Sequence, residues 1–317
     1  MRPDTDFLKA LESDTAAWAS TPERSNMAML RTMSWISLHL GRSAGRVVLR
    51  GIAAYFLLFA PASRMQSRHY LNRVFGRPAR WTEIYRHFFC FASTIHDRVY
   101  LLNQRFDLFD IEVHGDQLMR EACADGKGVF LIGAHMGSFE VVRALGRRYS
   151  GFKVAMAMFE ENARKINEML AAINPEAQQD IVSLGRIDSM LKINEHLSEG
   201  TLVGMLADRS LPGDQMHPVT LLGGSANLSV GPFRMAVILK RPVIFMTGLY
   251  LGKNRYAIHF EKLADFSSTP REKRQAAIDD AMARYASLLE THCRQAPFNW
   301  FNFFNFWQAG PATLGER

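Results

Sequence analysis

His135 and Glu140 stand five residues apart in Gly133-Ala134-His135-Met136-Gly137-Ser138-Phe139-Glu140, directly behind the apolar run Gly128-Val129-Phe130-Leu131-Ile132. A histidine delivered by a short buried strand, with a carboxylate to hold it, is the pair needed to take a proton from an alcohol. Spacing by itself carries no weight, because ten histidines and a tenth of acidic residues give about one chance match, and His135 is the single match found. In a continuous helix, residues five apart lie about 140° round the axis and do not meet. His135 must therefore precede the helix, with Glu140 in the first turn folding back. Gly137 eases that turn and Ser138 is suited to cap the helix. Glu140 would then fix one ring nitrogen and leave the other as base. The competing reading is an acid in the first helical turn, favourable to the helix dipole and catalytically idle.

A second charged pair, Asp208-Arg209, follows the apolar stretch Leu202-Val203-Gly204-Met205-Leu206. Charged residues beyond the carboxyl ends of strands lie where open α/β sheets bind ligands. Asp208 could tighten the base pair or hold the acceptor, and Arg209 could grip a phosphate or carboxylate. An exposed turn before Pro212-Gly213 is the simpler alternative. The small-residue segment from Leu222 to Pro232 leads into a helix whose N-terminus could receive an anion. It is neither a P-loop nor a nucleophile elbow, since Asn227 replaces the final glycine of G-x-S-x-G, which weakens a serine-hydrolase reading. Between Ala296 and Trp307, seven of twelve residues are aromatic and three are asparagines. Lining an acyl channel, resting in a membrane interface and closing the core all fit, with core closure favoured.

The elements that must position these groups change character near Phe106. Before it, apolar residues recur at helical spacing over Met27–Leu40, Ala44–Phe59 and Thr82–Leu102. After it, strand patterns alternate with helical ones: strands at 109–113, 128–134, 152–158, 181–184, 201–207, 242–250 and 255–260. The intervening helices fall at 116–124, 137–149, 162–173, 187–197 and 229–240, and a last one runs from Pro270 to Arg294. This order predicts an α/β fold, a mixed central sheet covered by helices on both faces. The division expected is a helical N-terminal portion over 1–104 and a catalytic domain over 105–317.

The 317 residues are 48% hydrophobic and 22% charged, as in a folded protein. Cys90, Cys123 and Cys293 make no C-x-x-C pair, which suits a reducing compartment and gives no zinc site. No secretory signal pattern is visible, because Asp4, Asp6, Glu12 and Asp14 occupy its place. The net charge of +7 favours acidic partners or simply solubility. Gly51–Ala62 is apolar and flanked by Arg50 and Arg64, too short to span a bilayer. It fits a core helix or one lying in a membrane interface.

The strand ending in Gly133-Ala134-His135 with Glu140, the Leu206-Ala207-Asp208 strand end and Leu221-Leu222-Gly223-Gly224 follow one another in a specific order. The helix from Gly231 and the strand Pro242-Val243-Ile244 continue it. This order, over roughly residues 105–310, resembles the late lipid A acyltransferases within the lysophospholipid acyltransferase superfamily. The aromatic tail, with Trp18 and Glu23-Arg24, resembles a side branch linked to aryl-polyene or fatty-acid-synthesis-like genes. The resemblance implies transfer of a fatty or polyenoyl group from a thioester, on acyl carrier protein or coenzyme A, to a hydroxyl of a lipid or glycolipid. His135 would be the general base and Glu140 its orienter. Gly137, Ser138, Asp208 and Arg209 would support the substrates, with backbone N–H groups near the turn steadying the oxyanion. It implies no metal or cofactor beyond the co-substrate. Acyl carrier protein and anionic inner-membrane lipids would be the partners, with a peripheral or monotopic place on the cytoplasmic face. A thioesterase or esterase, or a non-catalytic carrier- or lipid-binding protein, are the alternatives on the same fold. With no recognised motif or long basic run, nucleic-acid binding is not expected.

Overall fold

The computed structural model describes residues 27–148, 153–159, 167–168, 173–174, 180–185, 188–209 and 214–307. The N-terminal part is helical: α1 (Met27–Phe59), α2 (Pro61–Phe75) and α3 (Trp81–Leu102). Gly41, at φ 80 and ψ 169, breaks α1 into two helices. Pro61 opens α2 in the first-turn position that tolerates proline, so the apolar run that looked continuous to Ala62 turns a corner at Ala60. The bend between Gly41–Phe59 and Pro61–Phe75 is 95°.

The remaining elements are β1 (Asp110–His114), α4 (Asp116–Ala122), β2 (Phe130–Gly133), α5 (Phe139–Arg148), β3 (Val154–Phe159) and β4 (Ile181–Leu184). They continue with α6 (Ser189–Ser198), β5 (Leu202–Leu206), β6 (Met216–Leu221), β7 (Gly224–Ser229), α7 (Gly231–Ile238), β8 (Pro242–Gly252), β9 (Arg255–Asp265) and α8 (Arg274–Gln295). Seven strands form one sheet in the order β1-β9-β8-β2-β5-β3-β4. All neighbours are parallel except β8 and β9, which form an antiparallel hairpin. The mixed sheet expected from the alternating pattern is therefore present. The helix expected over Asn162–Ile173 falls almost wholly outside the described residues.

Central strands β2 and β5 are buried on both faces, which is why they are continuous apolar runs rather than alternating ones. Successive residues sort into two cores, one on each side of the sheet. Phe130, Ile132, Val243 and Phe245 join the core that α8, α7 and α6 cover, with Tyr285, Phe233 and Ile193. Leu131, Ile244, Met246 and Ile258 join the core beneath the C-terminal half of α3 and under α5, with Leu101 and Val141.

One expectation is corrected in part. The small-residue segment after Leu221 is a β-hairpin rather than a loop, and the helix it was expected to lead into follows as α7. Strands β6 and β7 pair from Met216↔Ser229 to Leu221↔Gly224, and Leu222 and Gly223 turn the corner at φ 50 and 70. The N–H of Leu222 does meet a carboxylate, the protein's own Glu290 on α8 at 2.7 Å.

Candidate active site

Strand register brings the two charged segments together. Gly133, the last residue of β2, pairs with Leu206, the last of β5, and the Ala207 N–H donates to the Gly133 carbonyl at 3.0 Å. His135 and Asp208 each stand two residues beyond that level pair, at the carboxyl edge of a parallel sheet. They meet there: the distance from His135 Nδ1 to Asp208 Oδ1 is 2.8 Å. The His135 backbone N–H donates to Asp208 Oδ2 at 3.0 Å, and the Trp300 indole Nε1–H donates to the same oxygen at 2.9 Å.

Asp208 is thus the carboxylate that holds His135, and the expectation that Glu140 would do so is corrected. Glu140 sits in the first turn of α5, and the neighbour one turn along, Arg143, takes it at 2.7 Å. Arg98 of α3 lies 3.9 Å from its other oxygen. Glu140 and Arg143 are both buried, so the acid serves as counter-charge to arginines beside the site.

Protonation follows from these contacts. Burial pushes the Asp208 carboxyl up, but His135, Arg209 and the Trp300 indole outweigh it and hold it at about 2. Burial pushes the His135 imidazolium down, Arg209 and more weakly Arg98 push the same way, and Asp208 opposes them. An ionised carboxylate only accepts, so the Nδ1 facing it carries the proton and Nε2 carries the lone pair. Nε2 has no hydrogen-bond partner among the described residues, and the side chain keeps 32% of its surface exposed. The result is a neutral imidazole, fixed in one tautomer, with its basic nitrogen open.

The turn that carries His135 is locked from two sides. Gly137 has φ +65, and a Cβ there would collide with the Gly248 carbonyl oxygen, so glycine is required twice over. The Gly137 N–H donates to Asn299 O at 2.8 Å, and that of Ser138 to Gly248 O at 2.8 Å. The Met136 N–H donates to Ala134 O at 2.6 Å. With the His135 N–H on Asp208, every backbone donor from 135 to 138 is occupied. These four N–H groups are held by the protein's own acceptors, and Gly137 and Ser138 build the turn. Arg209 is the nearby cation. It reaches the Phe301 carbonyl at 3.4 Å and lies over the Phe304 ring at 5.4 Å.

The aromatic tail is the part of the site that sequence reading missed. It crosses the sheet edge as a strap: Met136 and Trp300 form an antiparallel bridge, and the Phe301 N–H donates to His135 O at 2.8 Å. Trp300 is fully buried, edge-on to Tyr70 and Phe306. Its carbonyl accepts from His87 Nε2 at 2.9 Å, which leaves His87 Nδ1 to accept from the Ser67 hydroxyl at 2.8 Å. Asn299 pins the strap's start, with its side chain donating to Tyr250 O and accepting from Tyr250 N–H at 3.1 and 2.7 Å. Core closure was the favoured role for this tail, and it closes the core while also touching both His135 and Asp208.

A neutral, oriented histidine with an open Nε2 can take a proton from a hydroxyl or water and return it to a leaving group. The sequence profile of a family described as bacterial lipid A biosynthesis acyltransferase matches residues 22–309. No curated protein resembles the chain closely enough to count as a match.

Proposed function

Because the chain belongs to the bacterial lipid A biosynthesis acyltransferase family over residues 22–309, we propose that it moves a fatty acyl group from a thioester to a hydroxyl of a lipid or glycolipid. In this reading His135 is the general base and Asp208 its orienter. His135 Nε2 removes the acceptor's proton as its oxygen attacks the thioester carbonyl. The C–S bond of the resulting tetrahedral adduct then breaks, and the imidazolium gives the proton to the departing sulfur. Asp208 stabilises the imidazolium formed in between. With the turn's N–H groups committed, Arg209 takes the charge that develops on the carbonyl oxygen. Glu140 balances Arg143 and Arg98 at the edge of the site. The donor is acyl carrier protein or coenzyme A, and polyenoyl chains fall within the same chemistry. The setting is the cytoplasmic face of a bacterial inner membrane.

The observation that carries this reading is the Asp208–His135 bond at 2.8 Å, with the opposite ring nitrogen unpartnered among the described residues. The test is His135→Ala, purified and shown to be folded, with an acyl-carrier-protein thioester and lipid extract as acceptor. Acyl transfer should fall by about 10²–10⁴, the usual contribution of a positioned base. Wild-type turnover in that variant would refute the mechanism. Donor hydrolysis indifferent to any added alcohol would make the protein a thioesterase instead.

A further inference from the structure

The second half of α1 is apolar on two opposite faces, and only one of them is covered. Leu49 and Ala53 are buried, at 4% and 1% exposure, and Phe56 and Leu57 pack against the core. On the other side Val47, Tyr55, Leu58 and Phe59 stand 63%, 49%, 61% and 63% exposed. Exposed Gly51 links Val47 to Tyr55 in steps of four, and Leu58 and Phe59 follow Tyr55 by three and four, so these make one stripe where a solvated helix would carry polar side chains. The stripe continues round the 95° bend through exposed Pro61, Ala62 and Met65 to Trp81 at the start of α3.

Charge says what covers this face. From residue 24 to residue 82 the chain has ten arginines and neither aspartate nor glutamate, more positive charge than the +7 of the whole protein. Arginines rim the stripe. Arg50 is exposed beside it, and Arg64 donates to the Leu57 and Leu58 carbonyls at the helix end. The guanidiniums of Arg64 and Arg68 each lie 5.2 Å from the Trp81 ring. Tryptophan among arginines at the edge of an apolar patch suits the headgroup layer, where each has an apolar body and a polar end. A protein partner would have to meet a large apolar area and a purely cationic rim together. An anionic bilayer offers both at once. Among the described residues no single helix is long and apolar enough to cross a membrane.

We propose that the elbow of α1 and α2, with Tyr55, Leu58, Phe59, Met65 and Trp81 leading, lies in one leaflet of an anionic bilayer as an in-plane anchor. The inference rests on the membrane setting read above and specifies its contact surface. Binding is independent of chemistry, so the two can fail separately.

The test uses the full chain and sedimentation with vesicles of equimolar phosphatidylcholine and phosphatidylglycerol, or of phosphatidylcholine alone. The wild-type protein and His135→Ala should bind the anionic vesicles equally, and bind the neutral ones far less. Leu58→Ser with Phe59→Ser, both exposed and outside the catalytic machinery, should weaken binding at least about tenfold with an unchanged melting temperature. As a second readout, a tryptophan replacing Phe59 should shift to the blue and be quenched by lipids brominated along the acyl chain. Undiminished vesicle binding by the double variant, or an unquenched Phe59→Trp, would overturn the proposal. So would self-association of the lipid-free protein that the double variant abolishes, because a second copy would then own the face.

Discussion

Asp208→Asn separates the two carboxylates of the site more sharply than any other change. Asp208 Oδ2 accepts two N–H groups, from the His135 backbone and the Trp300 indole, while Oδ1 faces His135 Nδ1. Asparagine has one carbonyl oxygen and one NH₂ to place in those two positions. With the oxygen on the two N–H groups, the NH₂ points at Nδ1 and forces the proton onto Nε2, where the base is needed. The opposite flip keeps the tautomer but sets NH₂ against two buried donors, at about 1–3 kcal/mol for each one left unsatisfied. The wrong tautomer is therefore favoured, and kcat should fall by about 10⁴, roughly 5.5 kcal/mol in the barrier. Alkaline pH should not restore the rate. The base works when neutral, and the acid limb of the wild-type profile already lies below the usual imidazole value because burial and Arg209 lower it. Loss of the carboxylate removes an opposing influence and moves that limb lower still. The assay is single-turnover loss of thioester, with ¹⁵N shifts of His135 reporting which nitrogen is protonated. Glu140→Gln is the comparison, and it should keep the tautomer and lose far less. A folded Asp208→Asn within about fivefold of wild type, beside a Glu140→Gln reduced a thousandfold, would refute the argument and return the orienting role to Glu140.

Two further outcomes follow from the neighbours of this pair. Replacing Trp300 by its benzothiophene analogue keeps the shape and deletes only the N–H that holds Asp208. A hydrogen bond to a charged group is worth about 1.5–3 kcal/mol, so kcat should drop about ten- to hundredfold with the donor KM unchanged, and an unaltered kcat would sink the idea. Stability should also fall on acidification. His87, fully buried, is pushed down to about 4 by burial despite its bond to the Trp300 carbonyl, and His96 is pushed to about 4 by burial and by Arg42 and Arg46. The unfolded chain takes up these protons first, so the stabilisation is complete above about 6.5 and disappears as pH falls towards 4. For His87 alone the effect is on the order of 3 kcal/mol, and a melting temperature that stayed flat between those pH values would contradict it.

The fold was legible because its signals are local and strong. Buried strands β2 and β5 announce themselves as apolar runs, and Gly133 and Leu206 mark their ends. The orienter was misplaced because His135 and Glu140 are close in sequence, whereas the contact is made between neighbouring strands. A signal did exist, since His135 and Asp208 lie at the same offset beyond two strand ends that pair level. The hairpin of β6 and β7 was hidden by Pro218, Gly224 and Asn227, poor strand formers, and by a Leu-Gly turn in place of the usual Asn-Gly. Helix α2 was obscured by the apolar run that precedes it. Nothing local in Asn299-Trp300-Phe301 says that this segment crosses the sheet edge, because its partners lie far earlier in the chain, at His87, His135, Asp208 and Tyr250.

The charge arrangement explains why such a site would use a depressed histidine rather than a strong base. Asp208 stays ionised to about 2, while burial and Arg209 keep His135 neutral. A weakly basic imidazole gains little by holding a proton, so the imidazolium formed as an alcohol attacks is a strong acid for the next step. That step needs a proton donor, because a thiolate whose conjugate acid has a pKa of about 8.5 must leave and be captured. In the proposed mechanism Asp208 lowers the energy of the imidazolium between the two transfers without taking the proton, and the Trp300 N–H holds the carboxylate in place. Arg209 lowers His135 at rest, and in the proposed mechanism it also faces the carbonyl oxygen when charge appears there. Removing Arg209 should therefore raise the His135 pKa and slow the reaction together, a pairing that neither a purely structural nor a purely substrate-gripping arginine would produce.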